Sequence, residues 1–273
     1  MPDLSATLSD ACRDTAPLAG AKLHLKLLSY NIQVGVATAR YHHYLTQSWR
    51  HVIPHPATFT NLERIARMVS DYDIVALQEV DAGSMRSYYV NQVEYLAVKA
   101  RFPFWHHQTT RNLGRIAQHS NGLLSKIRPT AVTEHRLPGR IPGRGVLEVR
   151  FGHKDNPLVV LVVHLALGKG SRAKQLDYIT GIVKQHEHVV LMGDFNCAVH
   201  SQEIDLLLTR THLCEPLDRL NTFPSWRPVR NIDHILTSPS LRIAEVRTLN
   251  HMFSDHLPIA VDIRIPDGVH LAA

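Results

Sequence analysis

Apolar and polar residues alternate along several short segments of the chain, and this alternation predicts β-strands. In residues 23–30, every second residue from Leu23 to Leu27 is a leucine, which places the leucines on one face of a strand. The same period of two recurs at Leu147, Val149 and Phe151 and at Ile259, Val261, Ile263 and Ile265. Denser apolar runs predict further strands at residues 73–79, 157–164, 188–193 and 231–237.

Between the strands, apolar residues three and four positions apart predict helices. The first opens on a capping box formed by Thr60 and Glu63, and the second spans about residues 88–100. Ser171 and Ser201 stand where they can cap two more. The four stripes are Leu62, Ile65, Ala66 and Val69; Val93, Leu96, Ala97 and Ala100; Leu176, Ile179 and Val183; and Ile204, Leu207 and Leu208. Helices between some strands and hairpins between others predict an α/β fold with mixed sheets.

The apolar content predicts a globular protein with a single main domain. The chain has 273 residues, of which 44% are apolar, an ordinary fraction for a protein with a buried core. No apolar run approaches the ~18–20 residues of a membrane span, so we expect no transmembrane segment. Residues 1–20 carry scattered charges without a secretory pattern. We therefore expect a poorly ordered leader at 1–20 and one domain at 21–273.

The net charge indicates the kind of partner that the protein binds, and the cysteine content indicates the cellular compartment. The net charge is +6, which suits an anionic partner such as a nucleic acid, a phospholipid surface or a phosphorylated small molecule. Nothing in the sequence predicts a protein partner. Cys12, Cys197 and Cys214 are odd in number and have no motif spacing. They argue against a disulfide framework and fit a reducing cytoplasm, where we expect the protein to reside.

Polar residues follow or end most of the predicted strands. Carboxylates, carboxamides and imidazoles of this kind can hold a hard metal ion and hydrolyse a phosphate ester. The residues at these positions are Asn31, Glu79, His164, Asp194 with Asn196, Asp233, and Asp255 with His256. Because they are spread from one end of the chain to the other, a single domain must gather them.

Six short motifs in this order resemble the endonuclease/exonuclease/phosphatase superfamily, whose best-known fold is that of DNase I. They are Tyr30-Asn31, Leu77-Gln78-Glu79-Val80, Val163-His164-Leu165, Gly193-Asp194-Phe195-Asn196, Ile232-Asp233-His234-Ile235-Leu236 and Ser254-Asp255-His256. The resemblance covers roughly residues 22–265. It implies a four-layer α/β/β/α sandwich of two mixed β-sheets flanked by helices, with the active site along one edge.

The metal site is expected to take Mg²⁺ or Mn²⁺, because the candidate ligands are oxygens and no cysteine or histidine cluster has zinc spacing. Glu79, at the carboxyl end of an apolar strand, is the first candidate ligand. The resemblance adds Asp255 as a further carboxylate on the metal side. Asn31 either supplies a neutral oxygen or holds Glu79 or a metal-bound water in place.

The catalytic set is expected to contain an oriented histidine and a second acid. His256, held by Asp233, either activates the attacking water or stabilises the pentacovalent phosphorane. Asp194 would orient or deprotonate that water, and the sequence leaves open which of Asp194 and His256 is the base. Asn196 would donate a hydrogen bond to a phosphate oxygen.

Two further residues are expected to contact the phosphate. His164 would hydrogen bond to it or protonate the leaving oxygen, although no Asp or Glu in residues 101–128 is there to support it as in nucleases similar to DNase I. Asn121 matches a phosphate-contacting position of the superfamily, and its alternative reading is a turn residue before Gly122. Residues 40–56 and 136–144, rich in arginine, are either substrate-binding elements or solvated loops.

These residues together predict a divalent-metal-dependent phosphoesterase, most simply a phosphodiesterase similar to a nuclease. The alternatives are a phosphodiesterase of phospholipid headgroups, as in sphingomyelinases, and a phosphomonoesterase. A catalytically silent binding protein is the alternative from another class, but Glu79, Asp194 and His256 are all present. The sequence does not separate nucleic acid, lipid and small phosphate esters as substrates.

Overall fold

The computed structural model of the chain describes residues 24–36, 55–215 and 220–271. The expected leader at 1–20 lies outside the described residues, as does the 40–56 segment up to residue 54. The strands are β1 (His24–Asn31), β2 (Ile74–Asp81), β3 (Phe104–Asn112), β4 (Gln118–Ser125), β5 (Pro129–Arg136), β6 (Gly145–Phe151), β7 (Leu158–His164), β8 (His188–Asp194), β9 (Asp233–Thr237), β10 (Arg242–Thr248) and β11 (Ile259–Arg264). The helices are α1 (Ala57–Val69), α2 (Gln92–Ala100), α3 (Lys169–Val183) and α4 (Gln202–Arg210).

The strands form two sheets that stack face to face. One has the order β10-β11-β1-β2-β4-β3 and the other β5-β6-β7-β8-β9. An apolar cluster fills the space between the sheets, and two more lie between the first sheet and α1–α2 and between the second sheet and α3–α4. Each sheet contains one parallel pair among antiparallel ones. The architecture is the four-layer α/β/β/α sandwich that the family resemblance implies.

The predicted helices are present, but three of their starts are wrong. α1 begins at Ala57 after Pro56, whose fixed φ already suits a helix, so Thr60 lies inside the first turn rather than capping it. α3 follows Gly168, and Ser171 does not cap it. α2 begins at Gln92 instead of near residue 88, because the Asn91 side chain accepts hydrogen bonds from the first turn. The predicted cap at Ser201 is confirmed.

The cysteines bear on one expectation. Cys214 is disulfide-bonded, while Cys197 is free and buried. One disulfide-bonded cysteine is not the framework that the sequence argued against, but the bond weakens the cysteine argument for a reducing cytoplasm. Among the described residues, no helix is long and apolar enough to cross a membrane.

The strand directions bring one end of each sheet to a common edge. β1 and β2 run parallel, as do β7 and β8, so their carboxyl ends share that edge. β11 and β9 are antiparallel to β1 and β8, so they begin there. We call this the site edge. The candidate site residues therefore lie at this edge, at or near the ends of β1, β2, β7 and β8 and at or before the starts of β9 and β11.

Candidate active site

A β-bulge presents Glu79 to the site edge. The pairing of β2 with β4 shifts register between Leu77 and Val80, and Glu79 adopts a left-handed φ of 54°. Gln78 is consequently buried and hydrogen bonds to Ser29, whereas the Glu79 side chain keeps 33% of its surface exposed. Bulges commonly redirect a side chain in this way next to active sites.

A glycine allows Asp194 to end β8 beside His164. Gly193 pairs with Val163 and has a φ of 149°. A Cβ at Gly193 would overlap the carbonyl oxygen of Val163, so only glycine permits this close approach. The next pair in the register is His164 with Asp194, which places an imidazole and a carboxylate side by side at the site edge.

Asp194 is the centre of the site. Its Oδ2 accepts a hydrogen bond from the Asn31 side-chain nitrogen at 3.1 Å and lies 3.5 Å from His164 Nε2 and 3.9 Å from His256 Nε2. Its Oδ1 accepts from the backbone N–H of Asn196 at 2.9 Å. Two donors thus fix the carboxylate while two imidazoles face one of its oxygens.

His256 and Asp233 form the pair that the sequence predicts. His256 Nδ1 lies 2.8 Å from Asp233 Oδ2, and Thr222 donates to the same oxygen. All three residues are buried. The bond at Nδ1 holds the ring in one orientation and leaves Nε2 directed to the Asp194 side.

The pKa values of His256 and Asp194 are both shifted by burial and by the charges of neighbouring groups. Burial by itself would lower the pKa of His256, but the charge and hydrogen bond of Asp233, with Asp194 nearby, raise it to about 10. Burial raises the pKa of Asp194 to about 7, against the stabilising charge of His256. At neutral pH, His256 is therefore an imidazolium, and Asp194 is poised to exchange a proton.

His164 has the opposite character from His256. Burial, followed by the charge of Arg144, holds its pKa well below the usual value, so the ring is neutral at physiological pH. The nearest carboxylates, Asp194 at 3.5 Å and Glu79 at 3.9 Å, both face Nε2. Among the described residues, none supports the ring from Nδ1 by a hydrogen bond, in keeping with the missing acid noted in the sequence.

Two cationic or basic side chains border the carboxylates. Burial lowers the pKa of the Arg144 guanidinium, while the charges of Asp194 and Glu79 counteract that effect. Among the described residues, the Arg144 side chain has no ion-pair partner within 4 Å. His119, its pKa lowered by burial, is in electrostatic reach of Glu79 and His164. Arg144 belongs to the loop singled out in the sequence, whereas sequence reasoning missed His119 and Thr222.

Two groups of residues offer ligands for a cation, and their chemistry differs. Oxygen and nitrogen atoms of Asp194, Asp233 and His256 lie within 4.8 Å of one another, but His256 Nδ1 is engaged with Asp233 and the ring is protonated. Glu79, by contrast, makes no hydrogen bond with a described residue. Its charge helps raise the pKa of Asp255 to about 6, after burial as the main cause. Two carboxylates whose charges affect each other in this way fit a hard divalent ion.

The remaining predicted residues are close to the site but already have partners. Asn31 donates to Asp194 and uses its Oδ1 to accept from the backbone of Gln33, and it pairs with Gln78, the neighbour of Glu79, between β1 and β2. Asn196 donates one amide hydrogen to the carbonyl of Leu165 and keeps the other. Asn121 is buried in β4 and donates to the carbonyl of Gly145. Its phosphate-binding role stays a prediction.

Comparisons with known proteins agree with this geometry. The sequence pattern of the Endonuclease/Exonuclease/phosphatase family matches residues 28–256. An endonuclease/exonuclease/phosphatase from Beutenbergia cavernae is 20% identical over 89% of this chain and 72% of its own, with a TM-score of 0.70. No curated protein sequence matches the chain.

Two other solved structures share the fold. The mannosyl-6-phosphatase Bt3783 of Bacteroides thetaiotaomicron is 19% identical over 88% of this chain and 99% of its own, with a TM-score of 0.66. A humanized D. rerio TDP2 with 14 mutations is 16% identical over 88% and 99%, with a TM-score of 0.63. At these identities the similarity shows the fold alone. The family pattern covers most of the chain, and the protein therefore belongs to the Endonuclease/Exonuclease/phosphatase family.

Proposed function

We propose that the protein is a Mg²⁺- or Mn²⁺-dependent phosphodiesterase that hydrolyses its substrate by in-line attack of water. The observation that carries this proposal is the position of Asp194. One of its oxygens faces His256 and His164, and Asn31 joins it to the side of the site that holds Glu79. A base, an imidazolium and the Glu79 carboxylate are thus linked by short contacts through His164 and Asp194.

Asp194 is the proposed general base. A carboxylate with a pKa of about 7 is half ionised at neutral pH, which is the condition for efficient proton removal from water. His256, with a pKa of about 10, is already protonated and cannot take that role. Its Nε2–H instead donates to a phosphate oxygen as negative charge develops there, while Asp233 keeps the ring oriented.

Three further groups would bind the phosphate. Neutral His164 donates a hydrogen bond from Nε2 to a phosphate oxygen. With its pKa held well below the usual value, the ring carries no second proton to give to the leaving oxygen. Arg144 supplies a positive charge near Asp194 and Glu79, and its planar guanidinium suits phosphate oxygens. The second amide hydrogen of Asn196 would also donate to a phosphate oxygen. Asn121 remains a candidate for a phosphate contact.

Glu79 and Asp255 would hold the divalent ion, with Asn31 as a neutral oxygen ligand or as the residue that positions the others. When bound, such an ion polarises the phosphate and stabilises the leaving oxygen. The protein's own contribution is to place the two carboxylates close enough that the charge of Glu79, together with burial, raises the pKa of Asp255 to about 6. A cation beside them favours the ionised form of both.

The alternative functions differ in the substrate that the site hydrolyses. Nucleic acid, a phospholipid headgroup and a phosphomonoester each offer the anionic group that this site suits, and a solved structure of the same fold is a mannosyl-6-phosphatase. A silent binding protein would need no base with a matched pKa, and Asp194 has one. The disulfide at Cys214 weakens the main argument for a cytoplasmic location, so we propose no cellular compartment for the protein.

A panel of substrates with Mg²⁺ or Mn²⁺ tests the proposal. It contains plasmid, single-stranded DNA, RNA, bis-p-nitrophenyl phosphate, p-nitrophenyl phosphate, sphingomyelin and inositol phosphates. We expect hydrolysis of bis-p-nitrophenyl phosphate and of one natural diester, with loss of both in Asp194→Asn. Turnover of monoesters alone would replace the phosphodiesterase by a phosphatase. The absence of any turnover above that of Asp194→Asn would favour the silent binding protein.

A further inference from the structure

Exposed apolar side chains concentrate in the loops of the site edge. Fourteen large apolar residues are exposed among the described residues. Five lie on helices or strands, namely Val98, Trp105, Val132, Tyr178 and Leu206. The other nine lie in site-edge loops: Met85, Tyr88, Tyr89, Leu113, Ile116, Ile141, Leu167, Val229 and Met252. The loops of the opposite edge contain none of the fourteen. Solvation alone gives no reason for this asymmetry.

The same loops share one sign of charge. They comprise residues 82–91, 113–117, 137–144, 165–168, 220–232 and 249–258, and the strand directions place all of them at the site edge. Apart from the buried Asp255, they contain no Asp or Glu. Their exposed arginines are Arg115, Arg140, Arg227 and Arg230. None of these four has an ion-pair partner among the described residues.

The opposite edge has no excess of positive charge. Its described loops comprise residues 70–73, 101–103, 126–128, 152–157, 184–187, 211–215, 238–241 and 265–271. They contain six acids and five bases: Asp71, Asp73, Asp155, Glu187, Glu215 and Asp267, and Arg101, Lys126, Arg128, Lys154 and Lys184. The overall positive charge of the protein is therefore not spread evenly. The basic and apolar loops at the site edge, which we call the rim, lie at the same edge as the active site.

We propose that the rim docks the protein on the surface of a membrane that contains anionic phospholipid, with the active site facing the headgroups. Apolar side chains at loop tips gain free energy by entering the boundary between headgroups and acyl chains, and arginines are attracted to the anionic surface. Docking on an anionic membrane surface uses both exposed apolar side chains and positive charge, and the rim has both.

The side-chain types favour a lipid surface over a nucleic acid. Leu113, Ile116, Ile141, Leu167, Val229 and Met252, six of the nine exposed apolar residues, are not aromatic. Single-stranded nucleic acids are bound through basic grooves and stacking on aromatic rings, and aliphatic side chains contribute little to either. Hydrocarbon rewards every aliphatic side chain that it buries. That a headgroup phosphate is the ester then attacked rests on the proposed function, whereas docking itself does not.

Vesicle co-sedimentation tests the docking, with phosphatidylcholine vesicles that either contain or lack phosphatidylglycerol. We expect the protein to bind the vesicles with phosphatidylglycerol, and to bind them less tightly as salt is raised. Leu167→Ser and Val229→Ser should each weaken binding by about tenfold. The matched control is Val98→Ser on α2, since Val98 is 71% exposed, compared with 77% for Leu167 and 61% for Val229.

Two matched charge-reversal variants complete the test. Arg227→Glu should weaken binding to the anionic vesicles by about tenfold, whereas Lys154→Glu, an equal change at the opposite edge, should not. All variants should hydrolyse soluble bis-p-nitrophenyl phosphate at the wild-type rate, so that loss of docking is distinguished from loss of the site. If bis-p-nitrophenyl phosphate is not hydrolysed while vesicles are bound, the proposed function fails and the docking stands.

Three results would overturn the docking proposal. The first is wild-type protein that remains in the supernatant with both kinds of vesicle. The second is vesicle binding by the rim variants that is as tight as that of the wild type. The third is unchanged vesicle binding together with weaker binding of Leu167→Ser and Arg227→Glu to plasmid DNA, which would make the rim a nucleic-acid surface.

Discussion

At the scale of single residues, Asp194 has the contacts and the ionisation that a general base requires. If it must be ionised, kcat/KM rises with pH and reaches a plateau above its pKa of about 7. A cation beside Glu79 favours the ionised form, so the midpoint lies at or below about 7. The rate falls again only near pH 10, where His256 loses its proton. A pH–rate profile on bis-p-nitrophenyl phosphate measures both limbs.

Asp194→Asn is the control for that profile. It should lower kcat by about 10²–10⁴-fold and remove the acidic limb from the residual activity. A variant that retains the same limb would show that another group titrates there.

The pairing of Asp233 with His256 predicts losses that are not additive. Because the two are joined by a bond of 2.8 Å, removing either removes the oriented imidazolium. His256→Ala and Asp233→Asn should each lower kcat by roughly 10²–10⁴-fold, and the double variant should be little worse than His256→Ala. The rates of the three variants, corrected for folded fraction, decide the matter. Multiplicative losses would mean that Asp233 acts elsewhere.

Glu79 is predicted to act on the metal and not on the fold. Its side chain is partly exposed and makes no hydrogen bond with a described residue, so Glu79→Gln should leave the melting temperature unchanged. The Mg²⁺ concentration for half-maximal activity should rise about tenfold or more. Glu187→Gln, an exposed change in the loop before β8, is the control with no expected effect. A lower melting temperature at an unchanged Mg²⁺ requirement would make Glu79 structural.

The sequence was informative about these residues to different degrees. The Asp233–His256 pair was predicted from the identity of the two residues and from the resemblance, and the structure places them in contact. Thr222 lies eleven positions before Asp233 and carries no motif, so its hydrogen bond could not be predicted. Asn31 was expected on the metal side, yet its amide reaches Asp194, because a side-chain direction depends on the register between strands.

At the scale of elements, Gly193 sets the contact between β7 and β8. We predict that Gly193→Ala destabilises the protein by about 3 kcal/mol or more, because both φ and the Val163 carbonyl exclude a Cβ. Gly181→Ala on α3 is the matched control, since a Cβ there meets no atom within 4 Å. It should stabilise the helix by about 0.5–1 kcal/mol. Urea unfolding measures both, and equal stabilities would contradict the argument.

The strands and the helices were not equally predictable. Buried strands such as β7 are marked by unbroken apolar runs, and their ends agree with prediction to within a residue or two. Helix starts depend on single backbone conformations. Pro56 and Gly168 begin helices without any side-chain cap, so the serine and threonine rule failed at Thr60 and Ser171. The β-bulge at Glu79 has no signal in the sequence pattern.

At the scale of the whole molecule, two parallel strand pairs explain why residues distant in sequence form one site. The resemblance implied this arrangement, and the two sheets confirm it. The alternating pattern alone predicts strands but not their order, because pairing depends on contacts between distant segments. The disulfide at Cys214 shows the same limit, since a count of cysteines does not reveal which of them the fold brings together.

The central claim is hydrolysis of a phosphodiester that depends on a divalent ion, and its most direct test is the turnover of bis-p-nitrophenyl phosphate with Mg²⁺ and in excess EDTA. The account predicts turnover with Mg²⁺, its loss in EDTA, and its recovery when Mg²⁺ is restored, because the carboxylate oxygens of Glu79 and Asp255 suit a hard ion. Full turnover in excess chelator would contradict it.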